Sequence, residues 1–268
     1  MQINLIYLLR NSILQLKDKV VLVTGGSSGI GAEICALFAS EGAKVGVVAS
    51  KNKDKAQNIV NLIKADGGFA EPYVCNVSEV NEIDKLVTSV TLNIGSIDIL
   101  INCAGVFFPT KLGETVEKDY DEIVDTCLKG TFFMCNTVGP VMAKRGSGKI
   151  VNFGSAAGIQ GRSSYIVYGA AKAAIMQMTR SLACELAPNG VNVNCISPGN
   201  TATPMNENVR TEESYANTRE IITERALSGR PFSDPKEIAA MALFLVSDAA
   251  KPMHGETVVM DEGANIGF

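Results

Sequence analysis

A short stretch near the start of the chain constrains the fold more than any other. Residues 20–23 are Val-Val-Leu-Val, an apolar and mostly β-branched run typical of a strand buried on both faces. A glycine-rich turn follows directly at residues 24–31, Thr-Gly-Gly-Ser-Ser-Gly-Ile-Gly. Ile34, Leu37 and Phe38 then recur at helical spacing and form one apolar stripe. A buried strand, a glycine turn and an amphipathic helix predict the first unit of an α/β domain.

The same alternation of strand and helix continues along the 268 residues. It predicts strands at residues 45–48, 73–74, 97–101, 149–153, 191–196 and 257–260, and helices at about 56–63, 83–90, 115–143, 166–187 and 235–247. The last helix has a complete start signal in Asp234, Pro235 and Glu237. Parallel strands separated by such helices need right-handed crossovers. We therefore expect an α/β fold with a single doubly wound, Rossmann-type parallel sheet and helices on both faces.

Composition limits the classes of function. Hydrophobic residues make up 46% of the chain and charged residues 19%, which is enough apolar material for a core and unlike a disordered chain. The net charge is −4 and the sequence has no runs of Lys or Arg, so it does not predict the basic surface that binds nucleic-acid phosphates. We expect an N-terminal extension over residues 1–16 and a single domain over residues 17–268.

Cysteine usage and the N-terminus indicate where the protein resides. The seven cysteines are odd in number and lack C-x-x-C and zinc-type spacings, so we expect reduced, mostly buried thiols and no metal site. The apolar residues 3–9 are broken by Asn4 and followed by Arg10, the reverse of a signal peptide. They also fall short of the roughly 20 residues that a membrane span needs. We expect a cytoplasmic protein with no membrane partner.

The glycine turn has a chemical use besides its shape. Glycines let the backbone adopt positive φ and approach a pyrophosphate, whose charge is stabilised by free N–H groups and the helix dipole. Taken alone, such a cluster predicts a tight turn as readily as a nucleotide site. Its place at the first strand–helix junction favours a dinucleotide, so we expect residues 17–268 to form a dinucleotide-binding catalytic domain.

The spacing T-G-x-x-x-G-x-G in this turn resembles that of the short-chain dehydrogenase/reductase family. The resemblance covers roughly residues 17–265, and three further motifs carry it. The first is N-x-A-G, at Asn102, Ala104 and Gly105, and the last is P-G, at Pro198 and Gly199. Between them stands the Y-x-x-x-K pair, Tyr168 and Lys172, preceded by the serine Ser155. The chain is most similar to 3-oxoacyl-carrier-protein reductases and related carbonyl reductases. The resemblance implies hydride transfer between a nicotinamide cofactor and a carbonyl or secondary alcohol.

Tyr168 and Lys172 are four residues apart on a predicted helix, so both side chains lie on one face. A neighbouring ammonium favours the phenolate form, which makes Tyr168 a usable general acid and base. The resemblance implies that Ser155 holds the substrate oxygen and Lys172 the nicotinamide ribose. Tyr165 and Lys172 also fit the Y-x6-K spacing of enoyl reductases. The glycine turn matches the carbonyl-reducing group, so Tyr168 is the predicted catalytic residue.

One position departs from the family pattern. Where the family carries Asn in an N-x-x-G segment, this chain has Cys127 and Gly130. That Asn is understood to hold a helix irregularity that binds a water of the proton relay, and a thiol is a weaker hydrogen-bond partner. Our hypothesis is that the water survives on backbone carbonyls and that Cys127 slows turnover.

NADP is the favoured cofactor. NAD-specific folds place a carboxylate after the second strand, whereas here Ser50 and Lys51 stand there. Ser28, where many NADP-dependent relatives carry Arg, is the counter-indication. The predicted cofactor-binding residues are Gly25, Ser27, Ser28, Gly29, Ile30, Gly31, Ser50, Lys51, Asn76, Val77, Asn102, Ala104, Gly105, Tyr168, Lys172, Pro198, Gly199 and Thr201.

The substrate is less constrained than the chemistry. Residues 106–108, Val-Phe-Phe, with Ile159 and Met205 favour an apolar pocket, and the polar, weakly periodic residues 201–230 are a candidate substrate lid. We expect a small-molecule carbonyl or alcohol substrate. The resemblance implies a homotetramer, which the small residues 170, 171, 173 and 174 and the apolar end 265–268 would suit. The alternatives are a catalytically impaired nucleotide-binding scaffold of the same fold and an epimerase or dehydratase.

Overall fold

The computed structural model describes residues 14–266 and contains one seven-stranded, wholly parallel sheet. Its strand order is β3-β2-β1-β4-β5-β6-β7. The strands are β1 Val20–Thr24, β2 Lys44–Ala49, β3 Phe69–Val74, β4 Ile99–Asn102, β5 Gly148–Phe153, β6 Val191–Pro198 and β7 Thr257–Met260. The order reverses beside β1, which is the switch point of a doubly wound sheet. The predicted fold class and all seven predicted strands are confirmed.

Helices connect the strands and cover both faces of the sheet. They are α1 Gly29–Ser40, α2 Lys53–Ala65, α3 Val80–Asn93, α4 Glu117–Ile123, α5 Gly130–Arg145, α6 Ile166–Leu186, α7 Glu207–Thr211, α8 Ala216–Arg225 and α9 Pro235–Val246. The single helix predicted over 115–143 is instead interrupted, because a π-helical turn, Val124–Lys129, separates α4 from α5. Asp234 and Glu237 form the predicted capping box of α9.

The central strands are mostly apolar because their side chains alternate between two cores, one on each face of the sheet. In β1, Val21 and Val23 are buried under α1, α2 and α9, while Leu22 is buried under α3, α5 and α6 on the other face. Leu16 is 2% exposed and joins the first core, with its amide donating to the Glu41 carbonyl at 3.0 Å. Residues 1–13 of the predicted extension lie outside the described residues. Between residues 14 and 266, no helix has the length and apolarity that crossing a bilayer demands.

Candidate active site

The glycine turn brings the backbone of β1 against the loop after β4. Gly25 has φ +68°, and a Cβ there would stand 2.9 Å from the Cα of Ala104. The Thr24 hydroxyl fixes the contact, since it donates to the Ile101 carbonyl at 3.4 Å and accepts from the Ala104 amide at 3.3 Å. Only glycine fits at position 25, and the bare backbone faces the start of α1 at Gly29.

A groove of about 930 Å³ runs along this edge of the sheet. Of the residues predicted to bind the cofactor, those that line it are Gly25, Ser27, Ser28, Ser50, Lys51, Asn76, Val77, Ala104 and Gly105. Gly29, Ile30 and Gly31 form the first turn of α1, at the end of the glycine turn. A groove that combines a side-chain-free turn, a helix N-terminus and lysines fits a nicotinamide dinucleotide.

Sequence reasoning missed part of the groove. Lys55 lines it from the first turn of α2, and so does Ser78 after β3. The opposite wall comes from α4 and the π-helical turn, with Glu117, Lys118, Asp121, Glu122, Asp125 and Thr126. Lys55 could have been found from its place four residues after Lys51. No local signal marks the wall on α4, because it is created by tertiary packing.

Lys172 is the most buried ionisable residue of the predicted catalytic set, at 5% exposed. Its Nζ donates to the Phe153 carbonyl at 2.8 Å and lies 5.7 Å from the ring centroid of Tyr168. Burial lowers the pKa of Lys172, but attraction to Tyr168 and to Cys127, Cys103 and Cys195 in their ionised forms outweighs it, so the pKa is raised overall. Lys172 therefore remains an ammonium at neutral pH.

Two of the thiols around Lys172, Cys103 and Cys195, are protonated near neutrality. Burial raises the pKa of Cys103 to about 12 and also raises the pKa of Cys195. Both are consequently protonated at pH 7. Of the groups that raise the pKa of Lys172, Tyr168 has the largest effect.

Ser155 follows β5 and lies two residues after Phe153, whose carbonyl accepts from Lys172. Its Oγ accepts from the Ala157 amide at 3.2 Å and caps the short turn Ala156–Gly158. This turn packs directly on α6, since a Cβ at Gly169 would lie 2.8 Å from the Ala157 carbonyl oxygen. The structure therefore brings Ser155 and Lys172 to the end of β5, with Tyr168 on the adjoining first turn of α6.

The competing tyrosine is engaged elsewhere. Tyr165 stacks on Phe107 with ring centroids 4.6 Å apart and planes 2° from parallel. It occupies the N-cap position of α6, one turn before the residues that face Lys172. The geometry favours Tyr168 over Tyr165 as the partner of Lys172.

Cys127 lies inside the π-helical turn, so the helix irregularity is present without the Asn. Its buried Sγ donates to the Val106 carbonyl at 3.6 Å. A Cβ built on Gly105 would meet both the Cys127 Sγ, at 3.5 Å, and the Lys172 Nζ, at 3.7 Å. The thiol and the ammonium therefore flank the same glycine next to the groove.

Several predicted cofactor residues lie outside the groove surface. Asn102 is 2% exposed and donates to Asn152 Oδ1 at 2.9 Å, so it ties β4 to β5 beneath the groove. Pro198 ends β6, and the Gly199 amide donates to the Met260 carbonyl at 2.8 Å. Thr201 is buried and forms an isolated bridge with Ser233. Of these residues, Thr201 is the first of the segment predicted to be the lid, residues 201–230.

Comparison with known proteins identifies relatives over nearly the whole chain. A family model described as Enoyl-(Acyl carrier protein) reductase matches residues 25–265. A 3-oxoacyl-(acyl-carrier-protein) reductase of Thermotoga maritima is 36% identical over 250 residues, which cover 93% of this chain and 99% of the relative. An NAD-dependent glycerol dehydrogenase of Listeria innocua is 36% identical over 249 residues, covering 93% and 94%.

Solved structures agree with these relatives. A putative NAD(P)-dependent gluconate 5-dehydrogenase from Beutenbergia cavernae, with bound NADP at low occupancy, has a TM-score of 0.88 and 29% identity, covering 96% of this chain and 100% of its own. An actinorhodin polyketide ketoreductase with NADPH has a TM-score of 0.87 and 32% identity, covering 92% and 97%. With the sheet, the glycine turn and the Tyr168–Lys172 pair in place, the chain belongs to the short-chain dehydrogenase/reductase family and is an NAD(P)-dependent oxidoreductase.

Proposed function

We propose that the protein reduces a ketone with Tyr168 as the proton donor. The observation that carries this proposal is the buried ammonium of Lys172, which is held by the Phe153 carbonyl and placed beside the Tyr168 ring. Tyr168 gives its proton to the substrate oxygen, and Lys172 stabilises the phenolate that results. The Ser155 hydroxyl holds the same oxygen. The reduced nicotinamide, when bound, supplies the hydride.

A single variant pair tests these roles. Lys172→Met should lower kcat about a hundredfold or more, since proton transfer loses its stabilising charge. Ser155→Ala should lower it as well, with cofactor affinity preserved. Loss of turnover in both variants, with cofactor binding intact in Ser155→Ala, supports the proposal, whereas full activity in either variant contradicts it.

We propose NADP as the physiological cofactor. No carboxylate occurs in residues 48–53, and Ser50 and Lys51 line the groove at the end of β2. Lys55 supports the same preference, because its place on the groove adds a second cation at that end. The carboxylates of the groove lie instead on the wall formed by α4 and the π-helical turn.

Fluorescence titration with NADPH and with NADH tests the preference. The wild type should bind NADPH more tightly, and the double variant Lys51→Ala/Lys55→Ala should lose about tenfold or more of that advantage. Lys53→Ala is the matched control, since Lys53 begins α2 and is exposed away from the groove. Tighter binding of NADH by the wild type would refute the preference while leaving the enzyme class intact.

We propose 3-oxoacyl thioesters as the first substrate class to examine. The Thermotoga maritima relative is named for that chemistry, and the loop beyond Gly105 is apolar at Val106, Phe107 and Phe108. A panel should contain a 3-oxoacyl thioester, a 2-enoyl thioester, simple ketones and a polyol. Reduction of the 3-oxo group is expected. Preference for the enoyl thioester would instead favour Tyr165 as the proton donor, because Tyr165 and Lys172 have the Y-x6-K spacing of enoyl reductases.

We propose a cytoplasmic homotetramer. All seven cysteines, which lie within residues 14–266, are unpaired thiols, in keeping with a reducing compartment. Ala171 is 3% exposed and belongs to the chain's own core, and Ala173 packs partly against the same core, which leaves Ala170 and Ala174 of the small-residue face for a partner. Residues 267–268 of the apolar end lie outside the described residues. Light scattering should give about four times the 28.4 kDa of one chain, and a monomer would contradict the proposal.

A scaffold without turnover is the less favoured alternative. Cys127 motivates it, but Ser155, Tyr168 and Lys172 are all present, and the Lys172 ammonium lies beside the Tyr168 ring. Cofactor binding without reduction of any member of the panel would favour it.

A further inference from the structure

Thr110, in the loop after β4, forms a buried contact with the start of α6, the helix that carries Tyr168. Thr110, 2% exposed, donates its amide to the Ser164 carbonyl at 2.6 Å. Its hydroxyl accepts from the Val167 amide at 3.2 Å. Thr110 therefore forms hydrogen bonds with Ser164, before α6, and with Val167, in the first turn of α6.

This contact supplies a cap that the helix lacks in its own sequence. Tyr165 occupies the N-cap position, and its side chain accepts no hydrogen bond from the first turn. The amide of Val167 is one of the donors that a helix start leaves unsatisfied. The Thr110 hydroxyl, 57 residues away in sequence, satisfies it immediately before Tyr168.

The backbone just before the helix is strained. Ser164 has φ +66°, in the left-handed region that favours glycine. Such a conformation persists when surrounding contacts hold it. The contact between the Thr110 amide and the Ser164 carbonyl is the one that fixes this residue.

Phe107 packs against both tyrosines from the same loop. Its ring stacks on Tyr165 and meets Tyr168 nearly at right angles, with centroids 4.9 Å apart and planes at 75°. Edge-to-face and stacked aromatic pairs are favourable geometries. The Tyr168 ring is therefore bounded by Phe107 as well as by Lys172.

The same loop also lines the cofactor groove through Ala104, Gly105 and Val106. We propose that Thr110 and Phe107 are positioning residues for Tyr168: the loop caps the first turn of α6 and fixes the phenol ring relative to the groove. This inference rests on the proposed role of Tyr168 in proton transfer. It assigns neither residue a direct contact with the substrate.

Three variants separate the cap from general loop packing. Thr110→Val removes the hydroxyl and keeps the shape, and Thr110→Ser restores the hydroxyl. Thr115→Val is the matched control, since the Thr115 hydroxyl bonds only within its own loop, to the Lys111 carbonyl at 2.8 Å. In cofactor-free protein, hydrogen exchange over residues 165–169 should quicken about tenfold in Thr110→Val. It should stay near wild type in the other two.

Turnover supplies the second readout. Thr110→Val should lower kcat about tenfold, with the Kd of NADPH and the KM of the carbonyl substrate within about twofold of wild type. The solvent isotope effect on kcat should rise, because proton transfer from a misplaced phenol becomes slower. Thr110→Ser should recover most of kcat. Phe107→Leu, which removes the ring contacts and leaves the cap, should also lower kcat and raise the isotope effect, with the Kd of NADPH within about twofold of wild type.

The two proposals fail in different ways. If the wild type reduces no carbonyl, the proposed function fails, and exchange over residues 165–169 still decides whether Thr110 caps α6. If the wild type turns over and both Thr110→Val and Phe107→Leu match it in kcat and exchange, the positioning role is overturned. An unfolded Thr110→Val leaves the decision to Phe107→Leu and to rescue by Thr110→Ser.

Discussion

The cofactor groove and the lid segment, residues 201–230, are held in place by different kinds of contact. At the groove, the backbone of Gly25 packs directly against Ala104 on the ends of buried strands. In the lid segment, neither α7 nor α8 contains a buried residue. The groove is thus shaped by close-packed backbone, whereas the lid depends on side-chain contacts at its ends.

A charged cluster fastens the far end of the lid segment. Arg230 bonds both Glu237, at 3.0 Å, and Glu262, at 2.5 Å. The hydroxyls of Ser228 and Ser233 also donate to Glu262. Since Ser233 bridges to Thr201, the cluster links both ends of the lid segment to the end of β7. Ionic contacts of this kind respond to pH and salt, whereas the backbone contact between Gly25 and Ala104 should not.

The largest expected effect comes from breaking the backbone contact at the groove. Gly25→Ala should weaken NADPH binding about a hundredfold or more, because the added Cβ overlaps Ala104 at a positive φ. Gly67→Ala is the control: it has φ +82° with open space around it, so it bears only the conformational cost. Fluorescence titration measures both. Equal cofactor affinity in the two variants would show that the Ala104 contact does not shape the groove.

The next effect tests the lid. Arg230→Ala should lower kcat/KM for the carbonyl about tenfold while the Kd of NADPH stays unchanged, since it frees the lid without touching the groove. Arg225→Ala, at the end of α8 and outside the cluster, is the control. Steady-state kinetics with the best substrate supplies the comparison. A change in NADPH affinity alone would mean that the cluster serves the groove and not the lid.

The pH response should also differ between the two regions. Hydrogen bonds from Arg230, followed by those from Ser228 and Ser233, lower the pKa of Glu262 from 4.5 to about 2 against an opposing effect of burial. Because the folded-state pKa is depressed, this carboxylate stabilises the fold above about pH 4.5, and the contribution disappears as the pH falls towards 2. Thermal melts of Glu262→Gln should therefore show a smaller acid loss than the wild type. Glu71→Gln, at an exposed pair with Lys64, should follow the wild-type curve.

The smallest expected effect concerns the relay beside Lys172. Cys127→Asn should raise kcat by about two- to fivefold, because an amide is a stronger hydrogen-bond partner than a thiol. Cys184→Asn, on the exposed side of α6, controls for the loss of a thiol. Single-turnover kinetics isolates the chemical step. An unchanged or slower Cys127→Asn would show that the relay does not depend on position 127.

The sequence predicts the groove far better than the lid, for a physical reason. Motifs such as the glycine turn and Tyr168–Lys172 place chemistry at fixed local spacings, and the strand order then brings them together. The Thr110 cap and the Arg230–Glu262 contact join residues 57 and 32 positions apart, so no local pattern marks them. The π-helical turn at Cys127 leaves no mark in the apolar periodicity of residues 115–143, which indicates one regular helix; only the resemblance to the family pointed to an irregularity there.

The most direct test of Tyr168 as the proton donor compares carbonyl-dependent oxidation of NADPH by the wild type and by Tyr168→Phe. NADPH affinity is measured in parallel. Phenylalanine keeps the ring that packs on Phe107 and removes the hydroxyl. The expected result is a loss of about 10²–10⁴-fold in kcat with cofactor affinity unchanged. A Tyr168→Phe enzyme that reduces the same carbonyl at the wild-type rate would contradict the assignment of Tyr168 as the proton donor.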